Sequence, residues 1–175
     1  MADSIQQANF SALAAYLPLA TADTKVESLQ QAYELNRHRV YALSFWMTDN
    51  ELAAEELLAS TFRRAFAKSD APNPIDIDQA FISEVRELTT VGALSLSCDL
   101  ATEVSDVRSN IKRVHLERAV VQLPATERLI YLLHDGEGYN HPRIASMLGL
   151  TLDESKFGLH QARMRIRELV VSMVF

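Results

Sequence analysis

The chain has 175 residues, of which 48% are hydrophobic and 23% charged, and this composition is typical of a folded protein rather than a disordered tail. Its net charge of −6 argues against indiscriminate binding to nucleic acid, and no apolar stretch approaches the length of a membrane span. The single cysteine, Cys98, excludes an internal disulfide, and the first residues do not resemble a signal peptide. We therefore expect a soluble cytoplasmic protein.

The charge is unevenly distributed along the chain. Residues 1–110 hold 8 Lys and Arg against 16 Asp and Glu, whereas residues 111–175 hold 9 against 7. The first part is therefore −8 and the second +2. Only the C-terminal part has the positive excess that a phosphate-binding face needs, and that excess is small.

Three helices are predicted in the first half. Apolar residues recur at helical spacing over 28–47, and Thr48 with Glu51 has the spacing of a capping box that would begin a second helix. Pro72 and Pro74 end that helix, and a third is expected over 77–90. Before these, residues 10–19 are rich in Ala and Leu, and the sequence leaves a docked helix and a frayed segment equally open.

The periodicity fades over 89–106, where small and polar residues predict a linker that contains Cys98. We expect Cys98 to be a structural residue, since nothing near it in sequence would activate a thiol. The predicted organisation is an N-terminal extension (1–24), a helical domain (25–90), a linker (91–110) and a second helical domain (111–175).

The second half has clearer helix boundaries. A helix over about 108–122 stops at Leu123-Pro124, and another is expected over 126–133. Asn140 is suited to cap a short helix that Gly149 ends, and Thr151 with Glu154 repeats the capping-box spacing before a last helix that reaches about residue 172. In that position Asp153 and Glu154 stabilise the helix dipole.

The short helix, tight turn and long helix have the spacing of a helix-turn-helix, with Ala145 at the helix contact, Gly149 at the turn and three leucines facing inward. The inward leucines are Leu148, Leu150 and Leu159. A helical hairpin that does not bind DNA gives a similar pattern, so both interpretations stay open at this point.

Residues 116–169 resemble the promoter −35 domain of RNA polymerase sigma factors of the extracytoplasmic-function type. The family's paired residues have counterparts at Leu123-Pro124 with Arg128, Glu137-Gly138, Ile144-Ala145, Leu148-Gly149 and Ala162-Arg163. Upstream, residues 41–66 are similar to the sigma segment that grips core polymerase, with Ala54-Glu55-Glu56-Leu57 and Phe62 at the family's positions. The two motifs occur in the family's order.

The resemblance implies an all-α protein of two small domains, the C-terminal one a helix-turn-helix, that binds core RNA polymerase and directs it to promoter DNA. An anti-sigma protein is a further partner that such factors often have. The implied polymerase-binding residues are Glu55, Glu56, Ala59, Phe62 and Arg63, whose charges would otherwise be a solvated helix surface. The implied DNA-binding residues are Arg143, Lys156, His160, Gln161 and Arg163.

The last predicted helix, which would be the DNA-recognition helix of the helix-turn-helix, departs from the family pattern. Ser155 replaces a buried valine, Gly158 an exposed arginine and Gln161 another arginine, while Asp153 and Glu154 add repulsion near the DNA backbone. These changes predict weak promoter affinity for this domain alone.

The third predicted helix and the residues that follow it, which are expected to recognise the −10 element, depart from the family pattern as well. Leu88, Gly92 and Ser95 replace polar and basic residues, Glu84 and Glu87 add negative charge, and Arg86 is their main cation. This weakens the predicted recognition of the −10 element.

Two functions therefore remain. One is a divergent sigma factor, and the alternative is a sigma-like regulatory adaptor that binds a protein partner without recognising promoter DNA. An enzyme is not expected, because no phosphate loop or nucleophile elbow occurs and the five histidines are scattered. We accordingly predict no catalytic residue, metal or cofactor.

Overall fold

The computed structural model describes residues 2–92 and 111–174, with side chains over 24–92 and 111–174. Within these ranges the secondary structure is helical and no strand occurs, so the predicted all-α fold is confirmed. No helix in the described ranges is both long and apolar enough to cross a membrane. The elements are α1 (Ala2–Thr48), α2 (Glu51–Lys68), α3 (Pro74–Leu88), α4 (Arg113–Gln122), α5 (Ala125–Tyr131), a π-helical turn (Leu132–Gly136), α6 (His141–Leu148) and α7 (Leu152–Val174).

Helices α1, α2 and α3 form an N-terminal unit in which α2 packs against both of the others. Its core contains fully buried aliphatic and aromatic side chains, among them Val40, Leu57, Ile77 and Phe81. Helix α1 begins at Ala2, so the backbone of residues 10–19 is helical. The predicted boundary at residue 24 therefore falls inside a continuous helix.

The predicted start of α2 is wrong in its capping residue. Asn50, rather than Thr48, accepts the Ala53 amide through its side chain, and the helix begins at Glu51. Thr48 belongs to the last turn of α1, where its hydroxyl donates to the Ser44 carbonyl at 2.9 Å. The chain reverses at Asp49, whose φ of 51° lies in the left-handed region that Asp tolerates better than most residues.

Helix α3 begins three residues earlier than predicted, because Asn73 supplies a local cap immediately before Pro74. The Asn73 side chain accepts the Ile75 and Asp76 amides, while the Asp76 carboxylate accepts the Asn73 amide, which completes a capping box. Pro74 occupies the first turn, where its missing N–H costs nothing. Pro74 therefore helps to start α3, while α2 already ends at Lys68.

The C-terminal unit is built around α7, which packs against α4, α5 and α6. Helix α4 ends at Leu123-Pro124 as predicted, and the boundaries of the helix-turn-helix are also confirmed. Asn140 accepts the Arg143 amide at the start of α6, and Gly149 ends α6 with a φ of 66°. Thr151 and Glu154 form the expected reciprocal bonds at the start of α7.

The two units pack directly on each other, and their buried apolar residues form one continuous cluster. Arg128 of α5 makes the most extensive polar tie. It donates to the Met47 carbonyl at 3.0 Å and to the Trp46 carbonyl at 3.4 Å at the end of α1. It also donates to the Val121 and Leu123 carbonyls at the end of α4. The predicted linker, with Cys98, lies outside the described residues except for Val91 and Gly92, whose amide donates to the Thr126 hydroxyl.

Candidate DNA interface and polymerase-binding face

The exposed side of α7 carries a row of basic residues. Lys156, His160, Arg163 and Arg167 follow one another at intervals of three and four residues, and all four are exposed. This spacing places three of the predicted DNA-binding residues along one edge of the recognition helix. Gln161, the fourth predicted residue of α7, is half-buried and lies to one side of the row. We call Lys156, His160, Arg163 and Arg167 the basic row.

One member of the basic row has an intramolecular carboxylate partner. Arg163 donates to Asp135 in the π-helical turn, with Nη2 to Oδ1 at 2.7 Å and Nε to Oδ2 at 3.1 Å. Burial acts to raise the pKa of Asp135, but its hydrogen bonds to Arg163 and His134 outweigh that effect and hold the pKa below its ordinary value. The pair fixes the direction of the Arg163 guanidinium relative to α7.

The acidic residues at the start of α7 have a structural role that the capping box predicted. Both Thr151 hydrogen-bonding groups point to the Glu154 carboxylate, and these bonds lower the pKa of Glu154. The favourable helix dipole adds to this. Glu154 is thus held at the helix end, while Asp153 is exposed one turn before Lys156.

Two departures in the recognition helix lie inside the protein rather than on its surface. Ser155 is fully buried and its hydroxyl lies 3.1 Å from His141 Nδ1, so a polar contact between α6 and α7 stands where the family has an apolar one. Gly158 is also buried. The expectation that Gly158 stands at an exposed position, where it would remove a phosphate anchor, is wrong for this chain.

Arg143, the predicted phosphate contact on α6, points toward the N-terminal unit. Its Nη2 lies 2.8 Å from Asp78 Oδ2 of α3, and its guanidinium carbon lies 3.7 Å from the centroid of the Tyr139 ring. Asp78 also accepts from the Tyr139 hydroxyl at 2.7 Å and from Arg39 Nη1 at 2.7 Å. Asp78 is only 3% exposed, so it is a buried carboxylate held by two guanidinium groups and a phenol.

The same group of residues includes Glu137, which Arg39 Nη1 approaches at 3.3 Å. Burial together with the Asp78 carboxylate raises the pKa of Tyr139 to about 12, so the phenol is a hydrogen-bond donor across the ordinary pH range. Sequence patterns did not reveal the role of Asp78. The one available signal was an acidic side chain on the apolar side of α3, at helical spacing from Phe81 and Ile82.

Helix α3 makes a second contact with the helix-turn-helix through Arg86. The Arg86 Nη2 donates to the Leu148 carbonyl at 2.7 Å, at the point where α6 ends. The main cation predicted on the −10-type helix therefore has an intramolecular acceptor. Glu84 and Glu87 pair with Arg64 of α2, so their negative charges are partly neutralised rather than added to a bare surface. Leu88 is exposed and Ser95 lies outside the described residues.

Four of the five residues predicted to bind polymerase share the exposed side of α2. Glu55, Glu56, Ala59 and Arg63 are exposed, whereas Phe62 is 3% exposed and packs on Tyr33 and Phe66. Phe62 therefore supports the helix from inside and is not available at its surface. Leu52, an apolar residue at helical spacing from the buried Phe62 and Ala65, is nevertheless 76% exposed one turn before Glu55 and Glu56.

The histidines do not form a metal site within the described residues, where no group of three or more candidate ligands is found. His134 and His141 stack with ring centroids 4.7 Å apart, and each Nδ1 has a polar neighbour, Asp135 and Ser155 respectively. They therefore contribute to the packing of the π-helical turn on α6.

The family model of sigma-70 region 4 matches residues 113–166, which span α4 to the middle of α7. The match confirms the resemblance found in the sequence over these residues, and it is to a domain of non-enzymatic transcription initiation factors, as expected. No curated protein sequence matches the chain.

The fold extends the similarity beyond region 4. The chain is similar to the sigma factor RpoE from Bartonella quintana, solved in complex with the anti-sigma factor NepR, at 18% identity and a TM-score of 0.56. The match covers 81% of this chain and 95% of that chain. The sigma-factor fold therefore includes the N-terminal unit as well as the helix-turn-helix.

Proposed function

We propose that the protein is a sigma factor that binds core RNA polymerase through the exposed side of α2 and directs it to promoters through α7. The basic row carries this proposal, because it lies on the second helix of a helix-turn-helix within a region 4 domain. In that motif the second helix enters the major groove, and cations beside it bind phosphates. The proposed units are residues 25–90 for polymerase and 111–175 for the −35 element.

The surface of α2 supports the polymerase contact. Glu55, Glu56 and Arg63 surround the small Ala59, and Leu52 provides an apolar group at the same side of the helix. A polar surface with one exposed apolar anchor is typical of a protein-binding site that also tolerates water. We further propose an anti-sigma partner for this chain, on the fold that it shares with a sigma factor solved in such a complex.

One observation favours the adaptor as a second candidate. Arg143 and Arg86, two cations expected to face DNA, have acceptors within the protein at Asp78 and Leu148. In a protein that does not bind promoter DNA, these two arginines could keep their intramolecular acceptors permanently. The two candidates differ in whether the complex with polymerase selects promoters.

The first test is a titration of the full chain against core RNA polymerase without DNA. Saturable binding is expected, and the Glu55→Lys/Glu56→Lys variant is expected to lose it. The matched control is Glu27→Lys/Glu168→Lys, which makes the same change in charge at exposed residues outside α2 and is expected to bind normally. Failure of the unaltered chain to bind polymerase would disprove the proposed mechanism.

The second test is transcription from a library of genomic fragments by polymerase with and without the protein. Enrichment of a fragment class that shares a −35 sequence is expected for a sigma factor. Polymerase binding without any enrichment would instead support the adaptor.

A further inference from the structure

The carboxylate of Asp78 lies at the contact between the two units and is shared by three residues. It accepts from Arg39 of α1, from Tyr139 just before α6 and from Arg143 of α6, at distances of 2.7–2.8 Å. A carboxylate that is buried this completely is stable as a charge only while its cationic partners stay in place. Separating the helix-turn-helix from α3 would remove two of the three partners.

Arg143 is the partner that matters for DNA. Its guanidinium is part-exposed, with 38% of the side chain accessible, and one of its terminal nitrogens is committed to Asp78. Carboxylate and phosphate oxygens bind a guanidinium in the same geometry. Asp78 therefore satisfies the group that a DNA phosphate would otherwise bind.

Arg86 ties the same two helices together at a second point. Asp78 and Arg86 both belong to α3, and they contact the two ends of α6, Arg143 in its first turn and the Leu148 carbonyl at its last residue. Helix α6 is thus held along its length by α3. The helix expected to face the −10 element and the helix expected to support −35 recognition are in contact with each other.

We infer that α3 acts as an internal competitor for DNA, with Asp78 in the place of a backbone phosphate at Arg143. In this closed arrangement the helix-turn-helix is held against the N-terminal unit, and binding of a duplex exchanges Asp78 for a phosphate and separates the two helices. The inference rests on the proposed function, because it requires that Arg143 meet DNA. It assigns to Asp78 a role in limiting the binding of a DNA phosphate by Arg143.

The test measures the affinity of the full chain for a fluorescently labelled duplex of mixed sequence, without polymerase, over a range of salt concentrations. Asp78→Asn keeps the size of the side chain and removes its charge. We expect it to tighten binding roughly tenfold, the scale of one hydrogen bond to a charged group. The slope of log affinity against log salt should steepen by about 0.9, the value for one more phosphate contact.

Three further variants test whether the gain in DNA affinity comes from the release of Arg143 by Asp78. Asp70→Asn removes an exposed carboxylate that pairs with Lys25, and it should leave the affinity nearly unchanged, which excludes an effect of net charge alone. Asp78→Asn/Arg143→Gln should lose both the gain and the steeper slope. Tyr139→Phe leaves every charge in place and removes one hydrogen bond to Asp78, so it should tighten binding in the same direction by a smaller factor.

The inference is overturned if Asp78→Asn and Tyr139→Phe, both folded by circular dichroism, bind the duplex no more tightly than the unaltered chain. It is also overturned if the double variant keeps the gain, or if none of the chains binds the duplex. These outcomes are independent of the polymerase titration, which depends on α2 and is performed without DNA.

Discussion

Glu127 and Arg165 lie on opposite sides of the contact between α5 and α7, with Oε2 and Nε 2.9 Å apart and the carboxylate only 1% exposed. Burial raises the pKa of Glu127, while the charge of Arg165 opposes that shift. The pair therefore links α5 to the middle of α7.

Replacing Arg165 by Gln should destabilise the protein. It leaves the Glu127 charge buried without its counter-ion, and the expected loss is about 3 kcal/mol in the free energy of unfolding. Urea unfolding followed by circular dichroism measures it. Arg167→Gln removes the same charge two residues further along α7, at an exposed position. It should change the free energy of unfolding by less than about 0.5 kcal/mol. Equal losses in the two variants would show that the pair contributes nothing specific.

Gly149→Ala tests the turn of the helix-turn-helix. With a φ of 66°, this position places any Cβ in the left-handed region, at a cost of about 1–2 kcal/mol. The new Cβ would lie 3.8 Å from Arg86 Nη2, an ordinary contact, so the cost should come from the backbone alone. Gly136→Ala is the matched control, because its φ is not in that region and the space around it is open. Thermal unfolding should separate the two variants, and a neutral Gly149→Ala would contradict the argument.

Lys156→Gln tests the basic row. Loss of one phosphate contact should weaken binding to duplex DNA and reduce the salt slope by about 0.9. Arg167→Gln should act in the same way, whereas Lys68→Gln at the end of α2 serves as a control of equal charge and should have no effect. If Lys68→Gln weakened binding as much as Lys156→Gln, the interaction would depend on overall charge and not on α7.

The Tyr139 phenol provides a prediction at high pH. Its pKa of about 12 in the folded chain is higher than the ordinary value of about 10, so the unfolded chain loses this proton first. The stabilising contribution is therefore complete below about pH 10 and is lost as the pH rises toward the folded value. Ultraviolet absorbance of phenolate, compared with Tyr139→Phe, should show a late transition that belongs to Tyr139. In Asp78→Asn the transition should move to lower pH, and no movement would mean that Asp78 does not hold the phenol.

Much of the C-terminal unit was predictable because its helix ends are set by local chemistry. Asn140, Gly149, Thr151 and Glu154 each act within a few residues of their own position, so their roles follow from the sequence alone. The same logic failed at Thr48, since two polar residues competed for one helix start. Thr48 bonds back to Ser44 within α1 and leaves the cap to Asn50.

The contact between the units was not predictable in the same way. Asp78 and Arg143 are separated by 65 positions, and their approach depends on how whole helices pack. The charges of Glu84 and Glu87 illustrate the same limit, because the sequence shows two acidic residues but not Arg64 of the neighbouring helix. The residues expected to bind polymerase and DNA remain predictions that the variants above test.

Arg128 has a consequence for any attempt to divide the protein. Its guanidinium bonds to carbonyls of Trp46 and Met47 on one side and of Val121 and Leu123 on the other. A truncated chain that starts after the N-terminal unit would retain the arginine without its acceptors on α1, and a fragment that stops before α5 would leave those acceptors to solvent. Excised halves are therefore poor substitutes for the intact chain. In either half, the contact between Arg128 and the carbonyls at the end of α1 is missing.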